Sequence, residues 1–276
     1  MVSFTAHNIR LDDGTTTKPE IGYTIDQHVH FLSAKRLVSV IFPGARSDVR
    51  LADLGCLEGG YSVEFARMGF NVLGIEARES NIAACHLVKQ KTNLPNLAFV
   101  RDDVWNIAKY GRFDVVFCCG LFYHLDRPAE FLRLVSSVTS KLVILQTHFA
   151  TDEPNRKYRL SDHLYQDNNG NWGRWQTEFV NDEAFVNREA ARWSSWENRT
   201  SFWMKREYLL QAIVDSGFDV CMEQYDSLGN IPASMESGYY KTDSRGTFIG
   251  IKSSVLQPPG IHGDPLDHSV PRVSQG

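Results

Sequence analysis

The chain has little cysteine, no surplus of positive charge and no long apolar run. Five cysteines in 276 residues, Cys56, Cys85, Cys118, Cys119 and Cys221, are odd in number and form no C-x-x-C pair. A disulfide framework or a zinc ribbon is therefore not indicated, and a reducing, cytoplasmic setting is the expectation. No stretch approaches the roughly 18 consecutive apolar residues of a membrane span, and Met1 to His7 lacks a basic region followed by an apolar one. Membrane spanning and signal-directed secretion are both disfavoured. Against 33 Asp and Glu stand 29 Lys and Arg, a net charge of −4, which argues against a partner held mainly by phosphate neutralisation. What the chain does have is 42% hydrophobic and 12% aromatic residues, ample for a packed core.

Residues 49–150 alternate short β-branched apolar runs with longer stretches of helical spacing, the pattern of a parallel sheet with crossover helices. Strands are expected near 50–54, 71–76, 96–101, 113–119 and 141–148. Tyr61, Phe65 and Met68, then Ile82, Cys85 and Val88, then Ala129, Leu132 and Val135 mark the helices between them. Ahead of this core, residues 1–48 carry an amphipathic covering helix, expected from Gly22 to Phe42. Residues 151–204 lose clean periodicity and hold five of the six tryptophans, so they read as an insertion with its own surface. Residues 205–252 return to a helix at about 205–216 and two closing strands, at 218–225 and 246–252. From 253 onward proline and glycine accumulate with little apolar content, and a mobile tail is expected.

The sharpest motif is Asp53-Leu54-Gly55-Cys56-Leu57-Glu58-Gly59-Gly60, a strand entering a tight glycine turn that opens a helix. Glu76 follows at the end of the second strand, 21 residues after Gly55, where a carboxylate can accept hydrogen bonds from ribose hydroxyls. The third strand ends in Asp102-Asp103-Val104, and the fourth runs Phe113-Asp114-Val115-Val116-Phe117-Cys118-Cys119-Gly120 into Leu121-Phe122-Tyr123-His124. A dinucleotide-binding dehydrogenase would need G-x-G-x-x-G, whereas this turn places Leu57 where the second glycine belongs.

This ordered set resembles the class I S-adenosylmethionine-dependent methyltransferases, and its wording is most similar to the branch related to the wobble-uridine tRNA methyltransferase and to small-molecule and glycan methyltransferases. The resemblance implies a Rossmann-like, doubly wound α/β fold: a seven-stranded sheet with an antiparallel last strand, an N-terminal helical cover and an insertion after the fifth strand. It implies S-adenosylmethionine as cofactor and S-adenosylhomocysteine as product. Asp53, Gly55, Cys56, Leu57 and Gly59 would line the methionine end. Glu76 with Ala77 would hold the ribose, Asp103 with Val104 the adenine, and Cys119 with Gly120 the amino-acid part. Leu57 departs from the family's glycine, so the turn is expected to ride differently over the cofactor.

Methylating a hydroxyl requires alignment of the acceptor and removal of a proton, so a base is needed. His124 and His148, at the carboxyl ends of the fourth and fifth strands, are the candidates. His28, Tyr123, Trp172, Trp196 and Trp203 are candidate acceptor contacts. Because His28 and His30 stand two apart on the expected helix, at most one of them would face the pocket. No D/N-P-P-Y/F follows the fourth strand and no carboxylate ends it, so neither adenine-type N-methylation nor metal-assisted O-methylation is expected, and no catalytic metal is foreseen. Residues 151–206 balance nine Lys and Arg against nine Asp and Glu, a poor platform for RNA. The expectation is methyl transfer to a small molecule or glycan, most readily at oxygen and next at nitrogen, by a chain that could form a homodimer. The alternatives are a tRNA-modifying enzyme and a non-catalytic cofactor-binding subunit.

Overall fold

In a computed structural model of the chain, residues 2–238 and 244–253 are described. Two 3-10 turns, Pro19–Ile21 and Ile25–Gln27, precede α1 (Val29–Ile41). Then come β1 (Arg50–Leu54), α2 (Gly60–Arg67), β2 (Asn71–Glu76), α3 (Glu79–Lys91), β3 (Leu97–Arg101), β4 (Phe113–Cys119), α4 (Pro128–Val138) and β5 (Thr139–His148). The insertion holds β6 (Tyr165–Gln166), β7 (Trp172–Thr177), α5 (Asp182–Val186) and β8 (Thr200–Met204). The chain closes with α6 (Arg206–Asp215), β9 (Val220–Gln224), α7 (Ile231–Glu236) and β10 (Arg245–Ile251).

One sheet runs β3-β2-β1-β4-β5-β10-β9. Strands β1 to β5 pair in parallel, while β10 is antiparallel to both β5 and β9. This is the Rossmann-like seven-stranded sheet with an antiparallel last strand. Its central strands are nearly continuous apolar runs because helices cover both faces: Leu51 to Leu54 and Val115 to Cys118 are all buried. On one face Phe31, Phe65, Phe70 and Phe117 meet edge to face, with ring centres 5.1–6.1 Å apart, and each such pair adds about 0.5–1.5 kcal/mol beyond burial. The order of strands reverses between β1 and β4, and the crevice at their carboxyl ends is where α/β sheets of this kind take ligands.

Two local expectations need correction. The covering helix begins at Val29 rather than Gly22, because Gly22 adopts a left-handed φ of 80° and Thr24 caps a separate 3-10 turn together with Gln27. The insertion is not merely irregular: β6, β7 and β8 form a second, antiparallel sheet. Aperiodic, tryptophan-rich sequence hid these short strands. The tail expected from 253 lies, after Ser253, outside the described residues. No helix among the described residues is long and apolar enough to cross a membrane.

Candidate active site

A cavity of about 410 Å³ opens at the carboxyl edge of β1, β2 and β4, within the size range of small-molecule sites. Its floor is the β1–α2 turn. The N–H groups of Gly55 and Cys56 both donate to the Ile75 carbonyl, at 2.9 and 3.2 Å, which ties the turn to β2. Leu57 has φ 52°, the one non-glycine with positive φ among the described residues. Left-handed backbone costs an L-residue about 1–2 kcal/mol. Two bonds hold it there: its N–H donates to Glu76 Oε2 at 3.0 Å, and its carbonyl accepts from the Cys85 thiol at 3.2 Å. Leu57 thus adopts a backbone conformation that glycine takes without strain. Gly59 answers a different need, since a Cβ there would come within 2.5 Å of the Phe99 ring.

Glu76 is buried, and burial raises its pKa above the usual carboxylate range. Each of its oxygens takes one backbone N–H, from Leu57 at 3.0 Å and from Arg78 at 2.9 Å, and the Asn81 side chain also bonds the carboxylate, which leaves capacity for a further donor such as a sugar hydroxyl. Asp103 accepts from Trp105 N–H through Oδ1 at 2.9 Å, which leaves its second oxygen for another donor. Asp102 is spent on Asn106 and Tyr110. Gly55, Leu57, Glu76, Ala77, Asp103, Val104, Cys119 and Gly120 all line the cavity. Asp53, Cys56 and Gly59 lie beneath the wall. Asp53 receives the Ser62 hydroxyl at 2.6 Å and burial pushes its pKa up to about 7, while Cys56 packs with its sulfur 3.9 Å from that of Cys85. The buried Glu76 carboxylate, the second carboxylate and the bare turn fit an adenosine-bearing cofactor.

The roof comes from two distant segments. Glu58, fully buried, accepts from the backbone N–H groups of Thr5, Ala6 and His7 and from the Thr5 hydroxyl, fastening residues 5–7 across the turn. Ala6 and His7 thereby join the wall. Opposite, Arg78 donates to the carbonyls of Arg188, Ser194 and Ser195, and Glu189 accepts from Ser80 N–H at 2.8 Å at the start of α3. These contacts bring Arg192, Trp193, Ser194, Ser195 and Trp196 over the cavity. Arg78 and Arg188 both lie against the Trp196 ring, at 5.3 and 4.8 Å.

The two candidate bases are placed very differently. His124 lines the cavity, and its Nδ1 lies 3.0 Å from both oxygens of Glu178. Glu178 is buried and also accepts from Ser195 N–H at 2.9 Å and the Ser201 hydroxyl at 2.6 Å. A carboxylate so bonded accepts the Nδ1 proton, which fixes the tautomer and leaves Nε2 with a lone pair. His148 does not reach the wall. Its Nδ1 meets the Ser244 carbonyl at 3.0 Å and its Nε2 the Tyr158 hydroxyl at 3.2 Å, while its ring stacks on Trp203 at 4.8 Å. Burial, helped by the charge of Arg245, lowers its pKa to about 4. With both nitrogens engaged, it packs edge-on against Tyr123 instead.

Of the candidate acceptor contacts, His28, Tyr123 and Trp196 line the cavity. Trp203 is buried behind it and donates from its indole to the Tyr123 carbonyl at 2.8 Å, and Trp172 sits on β7 away from it. His28 and His30 both reach the wall, contrary to the helical-face argument. His28 precedes α1 in extended backbone, with ψ 134°, so the helical rotation does not relate the two. Sequence reasoning missed the roles of Glu58, Arg78 and Glu178. The one available signal was an acidic residue beside the glycine turn, in Glu58.

The chain matches the methyltransferase domain family over residues 45–203. It is 30% identical over 92 residues to the ubiquinone biosynthesis O-methyltransferase of Acinetobacter baumannii (strain AYE), covering 33% of this chain and 39% of that protein. It is 28% identical over 103 residues to the same-named protein of Rickettsia bellii (strain OSU 85-389), covering 37% and 42%. The chain thus spans less than half the length of these curated relatives. The N-terminal domain of EvdMO1, solved with SAH bound, shares its fold at 24% identity and a TM-score of 0.59, with 82% of each chain covered. A methyltransferase from Mesorhizobium loti does so at 15% identity and a TM-score of 0.51, covering 81% of this chain and all of that one.

Proposed function

This chain belongs to the methyltransferase domain family, and on that premise we propose that it transfers a methyl group from S-adenosylmethionine to a hydroxyl of a small molecule or glycan, with His124 as the base. The observation that carries the reading is the His124–Glu178 pair at 3.0 Å on the wall of a cavity whose floor holds Glu76 and Asp103. When bound, the cofactor supplies an electrophilic methyl carbon on a sulfonium.

The chain's own residues do the rest. Glu76 would hold the ribose diol and Asp103 the adenine amino group, with Gly55, Leu57, Cys119 and Gly120 giving backbone along the amino-acid part. The segments that hold Ala6, His7 and residues 192–196 cover the cavity from above. Glu178 keeps the Nδ1 proton on His124, so Nε2 accepts the acceptor's hydroxyl proton as the oxygen attacks, and the carboxylate stabilises the imidazolium that results. Tyr123, held by Trp203 and backed by His148, presents a flat ring beside that proton path, suited to an aromatic or sugar face. The named relatives are O-methyltransferases, which supports oxygen as the acceptor atom.

The test is methyl transfer by Glu178→Gln beside His124→Gln, with S-adenosylhomocysteine affinity measured by calorimetry. Both substitutions should lower turnover while leaving that affinity unchanged, because Glu178 orients the base and does not touch the cofactor. Unchanged turnover in Glu178→Gln would set this reading aside.

A further inference from the structure

The His124–Glu178 pair stands at the end of a chain of contacts that starts on β2. Glu178 is buried, and two donors besides His124 orient its carboxylate. One is the Ser201 hydroxyl at 2.6 Å, on β8, where pairing with β7 fixes the backbone. The other is the Ser195 N–H at 2.9 Å. Ser195 lies within residues 191–199, which form neither helix nor strand, so no backbone ladder holds it. The same stretch reaches His124 itself, because the Asn198 side-chain amide donates to the His124 carbonyl at 2.9 Å.

Arg78 fastens that stretch to the main sheet. It is buried, two residues beyond the end of β2, and its own N–H donates to Glu76 at 2.9 Å. Its guanidinium donates to the carbonyls of Arg188, Ser194 and Ser195, the last at 3.1 Å. Ser195 is thus bonded on both sides, by its carbonyl to Arg78 and by its N–H to Glu178. Its neighbours add to the fastening: the Ser194 hydroxyl donates to the Glu178 carbonyl at 2.9 Å, and the Trp196 ring lies against Arg78. Glu76, Glu189 and Glu178 supply the negative charge around the guanidinium. Three carbonyls of one loop suit its planar fork, whereas an ammonium is a point charge that cannot span them all.

We propose that Arg78 is the positioning residue of the His124–Glu178 pair. By pinning Ser194 and Ser195 it keeps the Ser195 N–H on Glu178 and the Asn198 amide on the His124 carbonyl, and so holds the His124 Nδ1 proton on the carboxylate. Because Arg78 is anchored at Glu76, one residue ties the pair to the strand end whose carboxylate suits the ribose. The inference rests on the methyl-transfer reading for the work that the pair does, while the positioning itself is measurable without turnover.

The experiment follows the His124 Nδ1–H in NMR spectra of the full chain with nitrogen-labelled histidine, the signal being assigned by its loss in His124→Gln. In Arg78→Met, which keeps much of the length and removes every donor, exchange of that proton with water should rise about tenfold or more, the scale of one hydrogen bond to a charged group. The Nδ1–H of His148, bonded to the Ser244 carbonyl, is the internal reference and should keep its rate. Arg78→Lys should fall between wild type and Arg78→Met, and methyl transfer should decline in the same order. Should Arg78→Met not fold, Arg78→Lys decides alone: faster exchange at His124 with His148 unchanged supports the proposal, and no difference overturns it. Equal acceleration at both histidines would overturn it too, because Arg78 would then hold the fold and not the pair. So would an unchanged His124 signal beside weakened S-adenosylhomocysteine binding, since Arg78 would then serve the cofactor alone. An Arg78-dependent His124 signal in a chain that transfers no methyl group would keep the positioning and remove the methyl-transfer reading instead.

Discussion

The floor of the cavity and its roof differ in how their parts meet. Floor residues follow one another at strand ends: Gly55 after β1, Glu76 ending β2, Asp103 after β3, Cys119 ending β4. Roof residues are joined across long stretches of chain, Glu58 to residues 5–7 and Arg78 to residues 188–195. The proposed base belongs to both, with His124 on a floor loop and its partner Glu178 in the insertion, 54 positions away. The floor can therefore bind a cofactor by local geometry, whereas the roof and the base depend on the insertion being folded in place.

Substitutions can break this contrast. The largest effect should come from His124→Gln, lowering turnover by about 10²–10⁴ with S-adenosylhomocysteine affinity intact, as for loss of a general base. Parallel kinetics and calorimetry check it, and a joint loss of rate and cofactor affinity would instead make His124 part of the floor. Next, Glu76→Ala should weaken S-adenosylhomocysteine binding by about 1–3 kcal/mol. Unchanged affinity by calorimetry would remove Glu76 from the cofactor site.

Glu58→Ala strikes the roof. It orphans the N–H groups of residues 5–7, so it should destabilise by about 1–3 kcal/mol and speed hydrogen exchange at those amides before any other. Uniform exchange across the chain would show that the segment is not separately fastened. A pH effect comes next. His7, His30 and His148 have pKa values lowered to about 4, mainly by burial, so between pH 6.5 and 4 the unfolded chain binds more protons than the folded one. Stability should then fall as pH drops through that window. His148→Gln should make the fall shallower in urea titrations, and an unchanged slope would contradict its buried, neutral state. The smallest effect is expected at the floor's strained residue. Leu57→Gly should shift stability by no more than about 1 kcal/mol, in the stabilising direction, by relieving the positive φ. Clear destabilisation on urea unfolding would mean that the Leu57 side chain packs more than its backbone strains.

The same contrast explains what could be read from the sequence. Strand and helix order, and the groups at strand ends, follow from hydrophobic period and from turns in which ligand residues adjoin the strand that carries them. Leu57 looked like a departure from pattern, yet a left-handed leucine held by Glu76 and Cys85 occupies the glycine's role in the turn. Period gives no sign of contacts made by single polar side chains far apart, so Glu178 counted only as one of the insertion's acidic residues. His148 misled for a related reason: its strand-end position is that of a reactive group, and only its bonds with the Ser244 carbonyl and the Tyr158 hydroxyl show it to be engaged. His28 and His30 were separated by a helix that begins one residue too late to separate them.

The most direct measurement is labelled-methyl transfer from S-adenosylmethionine over a panel of hydroxy acids, sugars, phenols, amines and tRNA, run with wild type and His124→Gln. The account predicts label in a hydroxyl-bearing small molecule as an ether, lost in His124→Gln while S-adenosylhomocysteine still binds. Label entering tRNA or an amine alone, or undiminished transfer by His124→Gln, would contradict it.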